Sequence, residues 1–231
     1  MKINVIASGS KGNACIVEHG IGKLLIDAGI RIKRIGEALR HRTADLDGAL
    51  ISHEHMDHAK AVKELMRLGV DCYMSQGTAE ALSLNGHRIH IIAAKRQLRI
   101  GPWTVLPIDL VHDAAEPLGF LVAIDDSKLL YAIDTAYIPY TFKDITHIML
   151  ECNFSLDILR ERQAAGTLPI AMKRRLMQSH MSIDTVKRFL DANDLSKVQE
   201  IWLLHLSDSH SDEAQFKSDI QKLTGKVVKI G

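Results

Sequence analysis

Three histidines and an aspartate crowd into six positions of this chain: His53, His55, Asp57 and His58. The stretch Ser52-His53-Glu54-His55-Met56-Asp57-His58 follows the apolar run Gly48-Ala49-Leu50-Ile51. It precedes a segment of helical period carrying Ala61, Val62, Leu65, Met66 and Leu68. That pattern predicts a strand, a ligand-rich loop and a helix that stops at Gly69. Imidazole nitrogen and carboxylate oxygen are the ligands that borderline divalent metals prefer. A loop cannot bury four such groups without a cation to neutralise and orient them. An ordinary polar surface loop does not concentrate ligand types in this way.

Four further residues of the same chemistry close apolar runs. His112 follows Ile108-Asp109-Leu110-Val111, and Asp134 follows Leu129-Leu130-Tyr131-Ala132-Ile133. Glu151 follows His147-Ile148-Met149-Leu150, and His205 follows Ile201-Trp202-Leu203-Leu204. A strand end holds a side chain rigidly while leaving it open to solvent, as a metal site needs. Strands are expected over residues 3–7, 14–18 and 23–27, with a helix over 31–40. Three short strands are expected between 87 and 110, and a hairpin turns around Asp126-Ser127. Thr78 is the expected cap of a helix reaching about residue 84. Further helices are expected over 155–165, 172–177, 182–190 and 212–223, and a last strand over 227–230. The first half is mostly strands and the second alternates strands with helices. Both fit one domain, residues 1–231, of two sheets packed face to face with helices outside.

Composition narrows the class. Of 231 residues 46% are hydrophobic, enough for a sizeable core, and the net charge is +1 from 29 basic and 28 acidic side chains. No whole-chain basic field drives nucleic-acid binding, although local patches remain available. The three cysteines, Cys15, Cys72 and Cys152, lie far apart and form no Cys-x-x-Cys, which speaks against a disulfide framework or zinc ribbon. They read as buried thiols of a reducing compartment. No apolar run suits a signal peptide or a membrane span, so a cytoplasmic protein without a membrane partner is expected.

The block His53-x-His55-x-Asp57-His58, followed by His112, Asp134 and His205, resembles the metallo-β-lactamase superfamily. The resemblance implies an α+β fold, an αββα sandwich of two mixed β-sheets with helices outside. It also implies two divalent metal ions, zinc or manganese with iron possible. His53, His55 and His112 would bind one, Asp57, His58 and His205 the other, and Asp134 would bridge them. A finer resemblance, to the WalJ/YycJ-type exonuclease branch, rests on residues 7–13, 52–58, 112–120, 150–153, 179–182 and 204–207. The chain departs from that branch at Asp208-Ser209-His210-Ser211 and in residues 173–178.

The resemblance implies a phosphodiesterase acting on DNA, in which a metal-bridged hydroxide attacks phosphorus and Asp57 takes part. His180 is the candidate proton donor to the leaving oxygen. Glu151 and Asp27 are candidates to hydrogen-bond a ligand histidine. Asn13 and Ser10 are candidates to line the cleft through backbone N–H groups. Lys173, Arg174 and Arg175 are the basic group best placed to follow a phosphate backbone, because their helix leads to His180. Aromatics make up 5% of the chain, which signals no extensive base stacking. Two other readings stay open: a small-molecule hydrolase of the same fold, acting on a cyclic phosphodiester or thioester, and a metal-binding protein without turnover.

Overall fold

The computed structural model describes residues 1–231, which form two compact units. One comprises residues 1–109 and 114–126, the other residues 110–113 and 127–231.

In the first unit a six-stranded sheet runs in chain order: β1 (Lys2–Ala7), β2 (Ala14–His19), β3 (Gly22–Ile26), β4 (Gly48–Leu50), β5 (Cys72–Met74) and β6 (Ile89–Ile91). β1 to β3 are antiparallel, and β3 to β6 are parallel. Parallel neighbours need crossovers. Here these are α1 (Ile32–Ala38), the pair α2 (Met56–Ala59) and α3 (Val62–Arg67), and α4 (Gln76–Ala81). They bury Ile35, Leu39, Val62 and Leu65 in one cluster with Leu25, Ala49, Ile51 and Met74. Each valine, leucine, isoleucine or methionine among these stabilises the fold by roughly 1.5–3 kcal/mol when fully buried. An antiparallel meander, β7 (Leu98–Ile100), β8 (Trp103–Asp109) and β9 (Leu118–Ile124), completes the unit. Its buried Trp103 donates from Nε1 to Asp47 Oδ2 at 2.8 Å, and Lys23 N donates to the same oxygen at 2.7 Å.

In the second unit β10 (Ser127–Ala132), β11 (His147–Glu151), β12 (Glu200–Leu204) and β13 (Val227–Ile230) lie side by side and parallel. Their near-continuous apolar character suits strands covered on both faces. β11 is followed by α5 (Leu156–Ala164), α6 (Ile170–Ser179) and α7 (Ile183–Asp191), and β12 by α8 (Glu213–Thr224). Ser155, Ser182 and Asp212 cap α5, α7 and α8 through their side-chain oxygens. No helix is long and apolar enough to cross a membrane. All three cysteines are buried, and burial pushes the Cys72 thiol up to about 12.

Local structure departs from the sequence expectation in two informative places. The helix expected to run unbroken from the histidine loop is split into α2 and α3. Ala61 N, which would bond Asp57 O in a continuous helix, donates instead to Ala28 O at 2.8 Å. Asn13 N takes the Asp57 carbonyl at 2.7 Å, and Ala28 N takes that of His58 at 2.7 Å. The loops after β1 and β3 thus seize the carbonyls of α2. The cap of α4 is Ser75, whose Oγ accepts from Thr78 N at 3.1 Å, so Thr78 lies inside the first turn.

Gly29 sits where these backbones cross. A Cβ there would lie 1.5 Å from the Asp57 carbonyl oxygen, and Gly29 N already donates to Asn13 O at 2.8 Å. Backbone cannot yield as a flexible side chain can. Gly29→Ala is expected to cost about 3 kcal/mol of stability in urea unfolding. Unchanged stability would show that α2 is not held by this crossing.

Candidate metal centre

In the first unit the candidate residues sit just beyond β4 and in the single turn of α2. His53 and His58 are buried. The His53 ring lies 4.6 Å from that of His55 and 4.1 Å from that of His58, between centroids. His55 occupies the N-cap position of α2 but makes no side-chain cap bond. Its imidazole is spent on the histidine cluster rather than on the helix end.

One carboxylate organises this cluster from behind. Asp27 follows β3 in left-handed backbone, φ 58°, and is wholly buried. Its Oδ1 accepts from Ser52 N at 2.8 Å, and its Oδ2 accepts from Ser52 Oγ at 3.0 Å and from His58 Nδ1 at 2.9 Å. A carboxylate only accepts, so His58 carries its proton on Nδ1 and presents the Nε2 lone pair. With its hydroxyl proton turned to Asp27, Ser52 Oγ accepts from His53 Nδ1 at 3.0 Å. His53 therefore presents Nε2 as well. Asn13 Nδ2 donates to that nitrogen of His58 at 2.9 Å, while Asn13 Oδ1 accepts from Gly9 N at 2.8 Å.

The second unit repeats the device. Asp134 follows β10 and His205 follows β12, both in left-handed backbone at φ 52°. Glu151, wholly buried, ends β11. Its Oε1 accepts from His180 Nδ1 at 2.5 Å and His205 Nδ1 at 3.1 Å, and its Oε2 from Thr135 N at 3.0 Å and Met181 N at 3.1 Å. Asp134 Oδ1 lies 2.8 Å from His205 Nδ1. Asp134, Glu151, His180 and His205 each offer one donor atom within 4.8 Å of the others. His112 Nδ1 donates to Ser179 O at 3.1 Å, while its Nε2 lies 3.3 Å from Asp113 Oδ1.

The electrostatics follow from these contacts. Burial would raise the Glu151 carboxyl, but the charge of His180 and the hydrogen bonds from His180 and His205 hold it below the usual glutamate range. Burial would lower His180, yet the charge and hydrogen bond of Glu151 raise it. Burial lowers His112 against the pull of Asp134. Two imidazole pairs backed by carboxylates, with mixed nitrogen and oxygen donors, suit a borderline divalent cation.

The other sequence candidates fall into place around these two clusters. Asp57 lies in the first turn of α2, its carboxylate 3.8 Å from His58 Nε2. Glu54 is turned aside, accepting from Ala115 N at 2.8 Å. Asn13 works through its side chain, since its backbone N–H is spent on Asp57, whereas Ser10 is exposed. Lys173, Arg174 and Arg175 lie on α6. Lys173 Nζ donates to Gln163 Oε1 at 2.6 Å and Arg175 lies 3.4 Å from Asp113. His210 is buried with Nδ1 at 2.9 Å from Ser207 Oγ. Sequence reasoning passed over Ser52 and Asn153. Ser52 stands inside the histidine motif, which is a signal. Asn153, whose Nδ2 donates to His205 O at 2.8 Å, stands inside the stretch 150–153 that carries the finer resemblance, but its partner is seen only in the fold.

Comparison with known proteins identifies the family and the fold. A model of the β-lactamase superfamily domain matches residues 23–206. The exodeoxyribonuclease WalJ of Streptococcus pneumoniae serotype 2 (strain D39) is 28% identical, over 91% of this chain and 83% of its own. The exodeoxyribonuclease YycJ of Bacillus anthracis is 29% identical, over 100% of this chain and 92% of its own. Among solved structures, the metallo-β-lactamase fold protein YhfI of Bacillus subtilis matches with a TM-score of 0.74 over 99% of this chain and 95% of that one, at 16% identity. At that identity the likeness is one of fold: an α+β sandwich of two mixed sheets with helices.

Asp27→Asn keeps the size of the side chain and its acceptor toward Ser52 N but turns an N–H toward His58 Nδ1. Zinc affinity, measured by competition with a chromophoric chelator, is expected to fall about 10–100-fold with the far-UV circular dichroism unchanged. Unaltered affinity would contradict the role given to Asp27.

Proposed function

Because the chain belongs to the β-lactamase superfamily, we propose that it is a metal-dependent hydrolase of phosphodiesters that shortens DNA from its ends. The breadth of the similarity carries this reading: it extends over 91% and 100% of the chain to two exodeoxyribonucleases. His53, His55 and His112 hold one divalent cation, Asp57, His58 and His205 a second, and Asp134 is shared. Zinc and manganese suit this donor set, and iron is compatible with it. Buried thiols in place of disulfides support a cytoplasmic location.

Bound there, the cations would supply Lewis acidity, acidifying water and offsetting the charge that a phosphate gains when attacked. The remaining work falls to the chain. Asp27, Ser52 and the Ser179 carbonyl keep protons on the Nδ1 atoms of His58, His53 and His112, so that each ring offers Nε2. His180, at the C-terminal end of α6, has Nδ1 held by Glu151. Glu151 favours the imidazolium form of His180, and only that form also carries a proton on Nε2, which it would give to the departing oxygen. Lys173, Arg174 and Arg175 on α6 supply positive charge one to two turns from His180, where a DNA backbone entering the site would pass.

Metal-loaded protein, with Mn²⁺ or Zn²⁺, is expected to shorten end-labelled duplex DNA, and His55→Ala to abolish this. Replacing Lys173, Arg174 and Arg175 together by alanine should weaken DNA binding and reduce the slope of log affinity against log salt by about 2–3. Absence of shortening with either metal, together with turnover of a thioester or cyclic nucleotide in the same preparation, would contradict the nuclease reading.

A further inference from the structure

We infer that a groove in the second unit, beside Tyr137, binds one unpaired base of a DNA strand. The inference rests on the DNA reading above. The chain holds five Phe, four Tyr and two Trp. Four of these aromatics, Tyr137, Tyr140, Phe142 and Phe189, gather at this one place. The rings of Tyr140 and Phe142, and of Phe142 and Phe189, lie 6.3 Å apart between centroids. Beside them opens a cavity of about 330 Å³, lined chiefly by Tyr137, Ile138, Pro139, Tyr140, Arg188 and Phe189. That volume is at the small end of ligand pockets, which run from roughly 300 to 1,000 Å³. It suits a base with its sugar.

The chemistry of the walls selects the occupant. Tyr137 is 51% exposed, whereas Tyr131 and Trp103 are fully buried in the core. An exposed ring on a fixed loop is a stacking surface, and every base offers a π-face to it. Arg188 is the only charged residue of the lining, and no carboxylate opposes it. Its guanidinium donates to Thr185 Oγ1 at 3.2 Å, and further N–H groups remain for a phosphate. This pairing of stacking faces with one unopposed cation complements a nucleotide, whose base meets the rings and whose phosphate meets the guanidinium, whereas a purely apolar segment would leave the cation unused.

The groove is pre-formed. Asn193 Oδ1 accepts from Phe142 N at 2.7 Å, and Asn193 Nδ2 donates to Phe189 O at 2.7 Å, which fixes the loop onto α7. The groove is also wired to the candidate metal centre. Thr135 Oγ1 donates to Tyr137 O at 2.9 Å while Thr135 N donates to Glu151 Oε2 at 3.0 Å. Tyr137 stands three residues from Asp134, a chain span of at most about 10 Å. A base stacked on Tyr137 therefore positions the nucleotide next to it in the strand.

The test uses metal-loaded protein and a short phosphorothioate oligothymidylate, which resists hydrolysis, with fluorescence anisotropy as the readout. Tyr137→Ala is expected to weaken binding about tenfold. Tyr137→Phe, which keeps the ring, should bind as the wild type does. An oligonucleotide bearing 5-iodouracil should photocrosslink to Tyr137 or Tyr140, as located by mass spectrometry. Equal binding by Tyr137→Ala, absence of oligonucleotide binding, or crosslinks confined to other regions would overturn the inference. A groove made for a peptide gives the first of these results. Crosslinking at Tyr137 without any shortening of duplex DNA would instead remove the nuclease reading and leave the groove standing. Shortening of duplex DNA with Tyr137→Ala unaffected in binding would do the reverse.

Discussion

An imidazole offers a lone pair to a cation only when its other nitrogen keeps the proton. That constraint governs the construction of both candidate clusters. Asp27 holds the proton of His58, and through Ser52 that of His53. Glu151 faces Nδ1 of both His180 and His205, and the Ser179 carbonyl faces that of His112. The acceptors behind the rings are buried, so the rings are oriented before anything binds.

Holding acceptors and ligands in this way makes demands on the backbone. Asp27, Asp134 and His205 all adopt left-handed backbone within two residues of a strand end. For an L-residue that conformation costs roughly 1–2 kcal/mol, although Asp and His tolerate it better than most. Such turns aim a side chain away from the line of its strand, which a regular strand end cannot do. The strain is offset by the well-packed parallel strands behind each turn. The same logic explains why α2 is only one turn long. Its carbonyls are bonded by the loops that carry Asn13 and Ala28, and this fixes Asp57 and His58 against both loops.

Much of this was legible in the sequence. The histidine block, and the polar residues closing apolar runs at His112, Asp134, Glu151 and His205, mark both clusters because ligand chemistry and strand ends leave local signatures. Residues brought together by tertiary contact left weaker ones. Asp27, at a strand end, was a candidate to hydrogen-bond a ligand histidine, but that the histidine is His58, thirty-one positions away, is seen only in the fold. Asn13 sits in a Gly-rich turn that suggests backbone N–H groups, but its N–H is consumed by Asp57 and its amide side chain does the work. The break after α2 arises from a competing acceptor at Ala28, which no helix pattern encodes. The groove at Tyr137 was invisible for a different reason. Aromatics are sparse overall, and composition averages away a cluster assembled from residues some fifty positions apart.

The central claim is that acceptors behind the rings set the tautomers, and imidazole nitrogen chemical shifts report tautomers directly. In ¹⁵N-labelled, metal-free protein near neutral pH, two-bond ¹H–¹⁵N correlation spectra should show His58 protonated at Nδ1 with an unprotonated Nε2, and His112 protonated at Nδ1. Asp27→Ala should release His58 from that state and leave His112 unchanged. Finding His58 or His112 as the Nε2–H tautomer in the wild type would contradict the account.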